Sequence, residues 1–158
     1  MLMPKKIKYR KVQRGTRKGR SKGARDVMFG DYGLQALEPV WLTAAQIEAM
    51  RVTISRKLKK VGKLFLRVFP DKPVSKKPAE TRMGKGKGNV EFWVSVVKRD
   101  RIVCEVSGLS ETEAKDVLKQ AQYKLPMKTK IVKREIVMQP VIEPAVTEQH
   151  DVVGNEKQ

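Results

Sequence analysis

The residues best suited to chemistry lie in the segment 82–89, which reads Arg-Met-Gly-Lys-Gly-Lys-Gly-Asn. Its cations Arg82, Lys85 and Lys87 are interspersed with glycines, and no acidic residue interrupts them. Glycine lets main-chain amides approach an anion closely, and lysine and arginine attract phosphate in a salt-dependent manner. The segment is therefore predicted to bind a polyphosphate. A mobile hairpin loop without a ligand is the simpler interpretation of the same residues.

Glycine and lysine also occur together in nucleotide-binding enzymes, but the context differs here. A P-loop requires Gly-x-x-x-x-Gly-Lys-Ser/Thr before a helix, whose N-terminus then faces the phosphates. In this chain Gly88 follows Lys87, and a predicted strand follows the run. A dinucleotide fingerprint would need a helix there and an acidic residue about 20 positions later. A nucleotide-dependent enzyme is therefore disfavoured, and measurable ATP or GTP turnover would be needed to support it.

Other catalytic or metal-binding constellations are sparse. His150 is the sole histidine and lies in a polar C-terminal segment, so a Ser-His-Asp triad has no natural base. One histidine and one cysteine provide no zinc-site spacing. Cys104 lies in an alternating apolar run and is predicted to be a small core residue. We therefore expect no enzyme, no metal and no cofactor.

The charge of the chain indicates a polyanionic partner. Its 158 residues include 35 Lys and Arg against 17 Asp and Glu, which gives a net charge of +18. Such a charge favours nucleic acid or an anionic membrane. No stretch approaches the roughly 18–20 apolar residues of a membrane span, and no apolar signal core follows the basic N-terminus. One cysteine fits a reducing compartment, so we expect an intracellular nucleic-acid-binding protein.

Residues 1–25, called the arm below, contain eleven lysines and arginines and no acidic residue. Such a segment repels itself and buries little, so it is predicted to order only against negative charge. A solubilising tail is the alternative, but the attraction of phosphate favours binding. Tyr9 is suited to stack on an unpaired RNA base. The arm residues predicted to bind RNA are Lys5, Lys6, Lys8, Tyr9, Arg10, Lys11, Arg14, Arg17, Lys18 and Arg20.

Hydrophobic periodicity predicts the elements that must hold these segments. Residues 33–42 form a short strand that is interrupted at Pro39. Thr43 and Gln46 form a capping box at the start of a helix that ends near Gly62. The inward face of this helix carries Ile47, Met50, Ile54, Leu58 and Val61. The opposite face carries Arg56, Lys59 and Lys60, which suit either solvent or RNA.

The middle of the chain is predicted to form three strands and one long loop. Residues 63–69 alternate as a strand, and residues 70–89, broken by three prolines, read as a loop that is functional or disordered. Residues 90–98 form a second strand, with residues 101–106 as its hairpin partner. The aromatic residues of these strands are predicted to be mostly core; they are Trp41, Phe65, Phe69, Phe92 and Trp93.

The end of the chain completes the predicted fold. Ser110 and Glu113 form a second capping box, Pro126 ends that helix, and residues 128–137 form the last strand. Residues 138–158 carry four acidic residues and one lysine, which predicts a disordered acidic tail. The expectation is an α+β domain over residues 26–137: a mostly antiparallel sheet sandwich with two packed helices, a basic arm and a long Gly/Lys loop.

Two stretches resemble one protein family closely. They read Arg-Val-Phe-Pro-Asp-Lys-Pro at residues 67–73 and Arg-Met-Gly-Lys-Gly-Lys-Gly-Asn-Val-Glu at residues 82–91. The opening Met-Leu-x-Pro-Lys-x-x-Lys-Tyr-Arg-Lys and the helix start at residues 42–49 match the same family. Together these motifs resemble the L16 (uL16) family of bacterial large-subunit ribosomal proteins. The resemblance covers residues 1–137 and leaves the acidic tail outside.

The resemblance implies a structural, non-enzymatic constituent of the large ribosomal subunit that binds 23S rRNA and joins late in assembly. It implies that the 70–89 loop contacts the A-site tRNA, and secondarily the P-site tRNA, near the peptidyl transferase centre. Neighbouring ribosomal proteins would be partners, with no membrane and no obligate homo-oligomer, in a bacterial cytoplasm or an organelle. Arg82 matches an arginine that some bacteria hydroxylate. The residues implied to face tRNA are Lys76, Lys77, Arg82, Met83, Gly84, Lys85, Gly86, Lys87 and Gly88.

A regulator or nucleoid protein that binds duplex DNA is the alternative from another class. It would form a dimer and place a recognition helix in the major groove. The first predicted helix carries Arg56, Lys59 and Lys60 but few of the Asn and Gln side chains that read bases. This alternative is therefore weaker than RNA binding.

Overall fold

The computed structural model describes residues 2–58 and 62–135, which form two antiparallel sheets and two helices. The first sheet contains, in spatial order, β3 (Lys63–Leu66), β6 (Ile102–Ser107), β1 (Tyr32–Ala36) and β7 (Thr129–Lys133). The second sheet contains β2 (Val40–Thr43), β5 (Asn89–Val97) and β4 (Lys72–Lys76). The helices are α1 (Ala44–Leu58) and α2 (Glu111–Gln122). The predicted α+β class is therefore confirmed.

Both helices begin at the capping boxes that the sequence predicts. The Thr43 amide donates to Gln46 Oε1 at 3.0 Å, and the Gln46 amide donates to Thr43 Oγ1 at 3.3 Å. Ser110 and Glu113 make the same reciprocal pair at α2. These bonds satisfy amides that would otherwise lack a partner in the first helical turn. The start of each helix is thus fixed by residues three positions apart.

The core lies where the two helices pack on each other and on the first sheet. From α1 it takes Ile47, Met50, Ile54 and Leu58, and from α2 it takes Ala114, Val117, Leu118 and Ala121. Leu34 of β1 and Cys104 of β6 are fully buried in the same cluster. Burial, aided by the nearby Glu105 carboxylate, raises the pKa of Cys104 to about 12. The prediction that Cys104 is a core residue is confirmed.

The predicted hairpin between residues 90–98 and 101–106 is wrong. β5 pairs with β2 and β4, whereas β6 pairs with β1 and β3, so consecutive strands lie in different sheets. Asp100 adopts a left-handed conformation with φ of 69°, and its amide donates to the Ala36 carbonyl at 2.8 Å. Ala36 in turn donates to the Arg101 carbonyl at 2.9 Å. The β5–β6 connection therefore passes from the second sheet to the first beside the end of β1. The β1–β2 connection passes between the same two sheets at this point.

The predicted long loop at residues 70–89 contains β4 and the first residue of β5, so its irregular parts are residues 70–71 and 77–88. β4 pairs with β5 from Lys72 opposite Val94 to Lys76 opposite Asn89. It is the edge strand of its sheet, where Pro73 is tolerated although it lacks an amide donor. Of the three prolines that suggested a loop, Pro73 therefore lies in an edge strand, and Pro70 and Pro78 lie outside that strand. Residues 77–88, called the loop below, lie at the tip of the β4–β5 hairpin.

Several predictions concern residues at the edges of the described chain. β7 ends at Lys133, and residues 136–137 of the predicted last strand lie outside the described residues, as does the predicted acidic tail at 138–158. Lys59, Lys60 and Val61 also lie outside them. Across residues 2–58 and 62–135, neither helix has the length and apolar character needed to cross a lipid bilayer.

Candidate nucleic-acid interface

The C-terminal end of the arm is fixed where the chain changes sheets. The Ser21 amide donates to the Arg99 carbonyl at 2.9 Å, and the Ala24 carbonyl accepts from the Ile102 amide at 2.7 Å. Arg20 Nε lies 3.3 Å from the Asp100 carboxylate. These contacts direct the rest of the arm toward the second sheet.

The arm and the loop hold each other through two lysines. Lys11 Nζ donates to the Lys87 carbonyl at 2.7 Å, and Lys87 Nζ donates to the Val12 carbonyl at 2.7 Å. We call this reciprocal pair the clasp. It brings the two most cationic segments of the chain side by side. Because the acceptors are neutral carbonyls, the clasp leaves both positive charges uncompensated.

Next to the clasp, the arm crosses the indole ring of Trp41. The Arg14 and Arg17 guanidinium carbons lie 5.9 and 5.2 Å from the Trp41 ring centroid, and Lys72 Nζ lies 5.1 Å from it. Cations over an indole face are attracted by the ring quadrupole. Lys72 Nζ also donates to the Arg14 carbonyl. Sequence periodicity did not identify Trp41 or Lys72 as interface residues, because their partners lie on a distant segment.

The glycines of the loop serve two different needs. Gly84 and Gly86 have φ of 101° and 86°, a left-handed backbone that other residues rarely adopt. Gly88 instead lies against β4, where a Cβ atom would meet the Lys76 carbonyl oxygen at 2.5 Å. Lys77 Nζ donates to the Gly84 carbonyl and closes the loop. Glycine thus sets both the shape of the loop and its close contact with the hairpin.

Most predicted binding residues are exposed, and contacts join the arm to the loop at Lys11 and Lys87. Lys85 and Lys87 are exposed, Met83 is 96% exposed and Tyr9 is 67% exposed. Lys8 Nζ lies 5.5 Å from the Tyr9 ring centroid. The remaining exposed cations are Lys5, Lys6, Arg10, Lys18, Lys76 and Arg82, whereas Lys77 is half-buried. Arg56 is exposed on α1 and, among the described residues, makes no hydrogen bond or ion pair with the arm or the loop.

The prediction that the strand aromatics are mostly core is wrong. Phe69 and Phe92 are 48% and 39% exposed, and Trp41, Phe65 and Trp93 are half-buried. Phe69 lines a cavity of about 770 Å³ together with Phe29, Arg67 and Arg101. Aromatic rings beside guanidinium groups are the usual setting in which proteins stack unpaired bases. Alternation along a strand predicts two faces, but it does not say that either face is covered.

A buried carboxylate holds residues 28–30, the segment just after the arm, which we call the root of the arm. Glu105 Oε2 accepts from the amides of Met28, Phe29 and Gly30 at 3.1, 2.6 and 2.9 Å. Its other oxygen forms an ion pair with Arg67, whose guanidinium carbon lies 4.8 Å from the Phe29 ring centroid. The three amide donors could not be predicted, because they come from a segment more than 70 residues away.

No metal site is found among residues 2–58 and 62–135, where no three His, Cys, Asp or Glu side chains converge. Among the described residues, few carboxylates pair with cations at or beside this surface: Asp100 pairs with Arg20 of the arm, and Glu91 of β5 lies 3.6 Å from Lys76 at the end of β4. The described surface of the arm and loop is therefore cationic with little internal neutralisation. Such a surface attracts polyanions and releases their counterions on binding.

Together, this fold and surface define a class, the small basic α+β proteins suited to a polyanionic partner. Residues 4–132 match the family described as Ribosomal protein L16p/L10e. The chain belongs to this family of large-subunit ribosomal proteins, and its role is structural rather than enzymatic. The predicted family resemblance is thereby confirmed, and the nucleotide-dependent enzyme is excluded.

Bacterial relatives match over most of their length. The chain is 56% identical over 137 residues to the large ribosomal subunit protein uL16 of Heliobacterium modesticaldum, covering 87% of this chain and 95% of that protein. It is 60% identical over 134 residues to uL16 of Pseudothermotoga lettingae, covering 85% and 94%. It is 58% identical over 135 residues to uL16 of Thermus thermophilus, covering 85% and 96%.

Proposed function

We propose that the chain is a structural constituent of the large ribosomal subunit that binds 23S rRNA through its arm. Its loop would face the A-site tRNA, and secondarily the P-site tRNA, near the peptidyl transferase centre. In this role it would help the rRNA to fold late in subunit assembly and would position the tRNA acceptor arm. The observation that carries the proposal is the clasp, which joins the arm and loop into one cationic surface.

The arm is suited to rRNA because its charge is dense and its backbone is irregular. Between residues 2 and 25 it has no acidic residue and no helix or strand, so its lysines and arginines can follow a phosphate backbone. Each phosphate that a cation neutralises releases counterions, which supplies affinity without sequence specificity. The exposed ring of Tyr9 adds a stacking surface for an unpaired base.

The loop is suited to a ligand that arrives and leaves. Its cations Lys85 and Lys87 are exposed at a hairpin tip, and Cβ atoms added at Gly84 or Gly86 would meet nothing within 4 Å. The backbone there is open on its outer side and can approach a phosphate without a steric barrier. Contacts of this kind position a nucleic acid and carry no sequence information, as a site that receives many different tRNAs requires.

The test replaces Lys85 and Lys87 together by alanine in subunits reconstituted without the native protein. We expect the variant to enter the subunit and to weaken A-site tRNA binding about tenfold, because each of the two lost contacts between exposed charges is worth roughly 0.5–1 kcal/mol. Thermal unfolding of the isolated variant should change little, since both side chains are exposed. Binding is measured with labelled tRNA at fixed salt.

A matched control replaces Lys119 and Lys124, which are exposed on and just after α2, and should leave tRNA binding unchanged. The proposal is contradicted if the loop variant binds tRNA as tightly as the control. It is also contradicted if the loop variant is destabilised enough that unfolding accounts for its loss of tRNA binding. A bacterial cytoplasm or an organelle that makes its own ribosomes would be the setting for this function.

A further inference from the structure

The surroundings of Trp41 hold more positive charge than the protein balances. Arg14, Arg17 and Lys72 all lie within 5.9 Å of the ring centroid. Among the described residues, none of these three cations forms an ion pair with a carboxylate. Like charges gathered around one ring repel one another unless an anion lies between them. The indole face attracts these cations, but no negative charge balances them.

A cavity of about 280 Å³ opens beside this cluster. Its lining includes Arg14 and Val12 of the arm, Trp41 and Lys72 of the second sheet, and Lys87 of the loop. The other lining residues are Pro73, Val74 and Ser75, so no acidic side chain faces the cavity. The volume is several times the share of about 30 Å³ that one water molecule takes in the liquid. It is large enough for a phosphate group with part of its hydration shell.

A buried donor without a partner lies in the same cluster. The Trp41 Nε1 atom is inaccessible and has no hydrogen-bond partner. A buried N–H group without an acceptor is unfavourable, and such groups are rare in folded proteins. The indole N–H therefore lacks an acceptor in a cluster that also lacks negative charge. A phosphate in the cavity supplies the negative charge.

We propose that this cavity is a phosphate-binding site and that an RNA backbone phosphate in it fastens the arm to the loop. The inference rests on the proposed function, because RNA is taken as the source of the phosphate. Since Arg14 belongs to the arm and Lys87 to the loop, a single anion contacts both segments. The bound anion attracts the cations of both segments and so offsets the repulsion between the arm and the loop. RNA binding to the arm and ordering of the loop then support each other.

The first experiment follows the two indole N–H signals of the full chain by NMR. Trp93→Phe assigns them, because the chain has only two tryptophans. Inorganic phosphate, and separately a short single-stranded RNA, are titrated at low salt. We expect the Trp41 indole signal to move in a saturable way while the Trp93 signal stays in place. RNA should saturate the Trp41 signal at a lower concentration than inorganic phosphate does.

The second experiment removes one cation from the cavity. Lys72→Gln should weaken saturation of the Trp41 signal by phosphate and RNA about tenfold. Lys63→Gln makes the same charge change at an exposed position on β3, in the other sheet, and should leave it unchanged. Hydrogen exchange should show RNA protecting residues 10–17 and 82–88 together in the full chain, and both less in Lys72→Gln.

The outcomes separate this inference from the function on which it rests. If RNA binds the chain but the Trp41 signal does not move, the phosphate site is refuted while RNA binding stands. If inorganic phosphate saturates the signal as tightly as RNA does, the site holds a free anion and the proposed link to RNA is wrong. If the chain shows no affinity for RNA at all, the proposed function itself fails.

Discussion

At the scale of single residues, Glu105 shows how a carboxylate can be structural in a chain rich in cations. Its side chain is fully buried, and it joins β6 to the root of the arm and to Arg67. A buried charge is tolerated only when partners replace its water. Here one guanidinium and three main-chain amides do so. The residue thereby fixes the direction in which the arm leaves the fold.

Glu105→Gln tests this role. The amide would leave Arg67 without its counter-charge and would turn an NH₂ group toward donors, so we expect a loss of about 3–5 kcal/mol in the free energy of unfolding. Chemical denaturation followed by circular dichroism measures it. Glu91→Gln, which breaks the exposed pair with Lys76, should cost less than about 1 kcal/mol. Equal losses in the two variants would refute the structural role of Glu105.

At the scale of elements, the sequence predicts best what is local. Both helix starts follow from capping residues three positions apart, and both helices lie where periodicity places them. Strand partners are not local, so alternation predicted β5 and β6 but paired them wrongly. The same limit hid β4, since Pro73 between Pro70 and Pro78 suggests a loop unless the strand is known to lie at a sheet edge.

The candidate interface also has a part that the sequence predicts and a part that it does not. The cations of the arm and the loop were predictable, because charge and glycine content are visible in short windows of sequence. Trp41 and Lys72 were not, because only the folded chain brings the arm across the second sheet. The clasp was hidden for the same reason, since its two lysines are 76 residues apart. Composition therefore identifies the segments, and topology decides how they combine.

The arm as an element gives a prediction about salt. Replacing Lys5, Lys6 and Lys8 by glutamine should weaken binding to single-stranded RNA and lower the slope of log affinity against log salt by about 2, near 0.7 for each phosphate contact. Binding is measured by fluorescence anisotropy across a salt series. The control replaces Lys119, Lys124 and Lys130, all exposed, and should keep the original slope. An arm that only solubilises the protein would give both variants the same slope.

At the scale of the whole molecule, the fold separates stability from binding. The buried cluster is built mainly by the two helices and the first sheet, with Leu42 and Val97 from the second sheet, whereas the arm and loop gather on the second sheet. A net charge of +18 on 158 residues repels itself, and a polyanion relieves that repulsion. The molecule therefore combines a conventional core with a surface that is completed by its partner. That division fits a structural member of its ribosomal family.

The most direct test of this account is where the protein lies in the cell. Lysate is sedimented through a sucrose gradient, and fractions are probed for the full chain and for a variant lacking residues 2–17. We predict that the full chain sediments with large ribosomal subunits at moderate salt, while the shortened chain stays largely in the light fractions. A full chain found only in light fractions, or a shortened chain bound to subunits as well as the full one, would contradict the account.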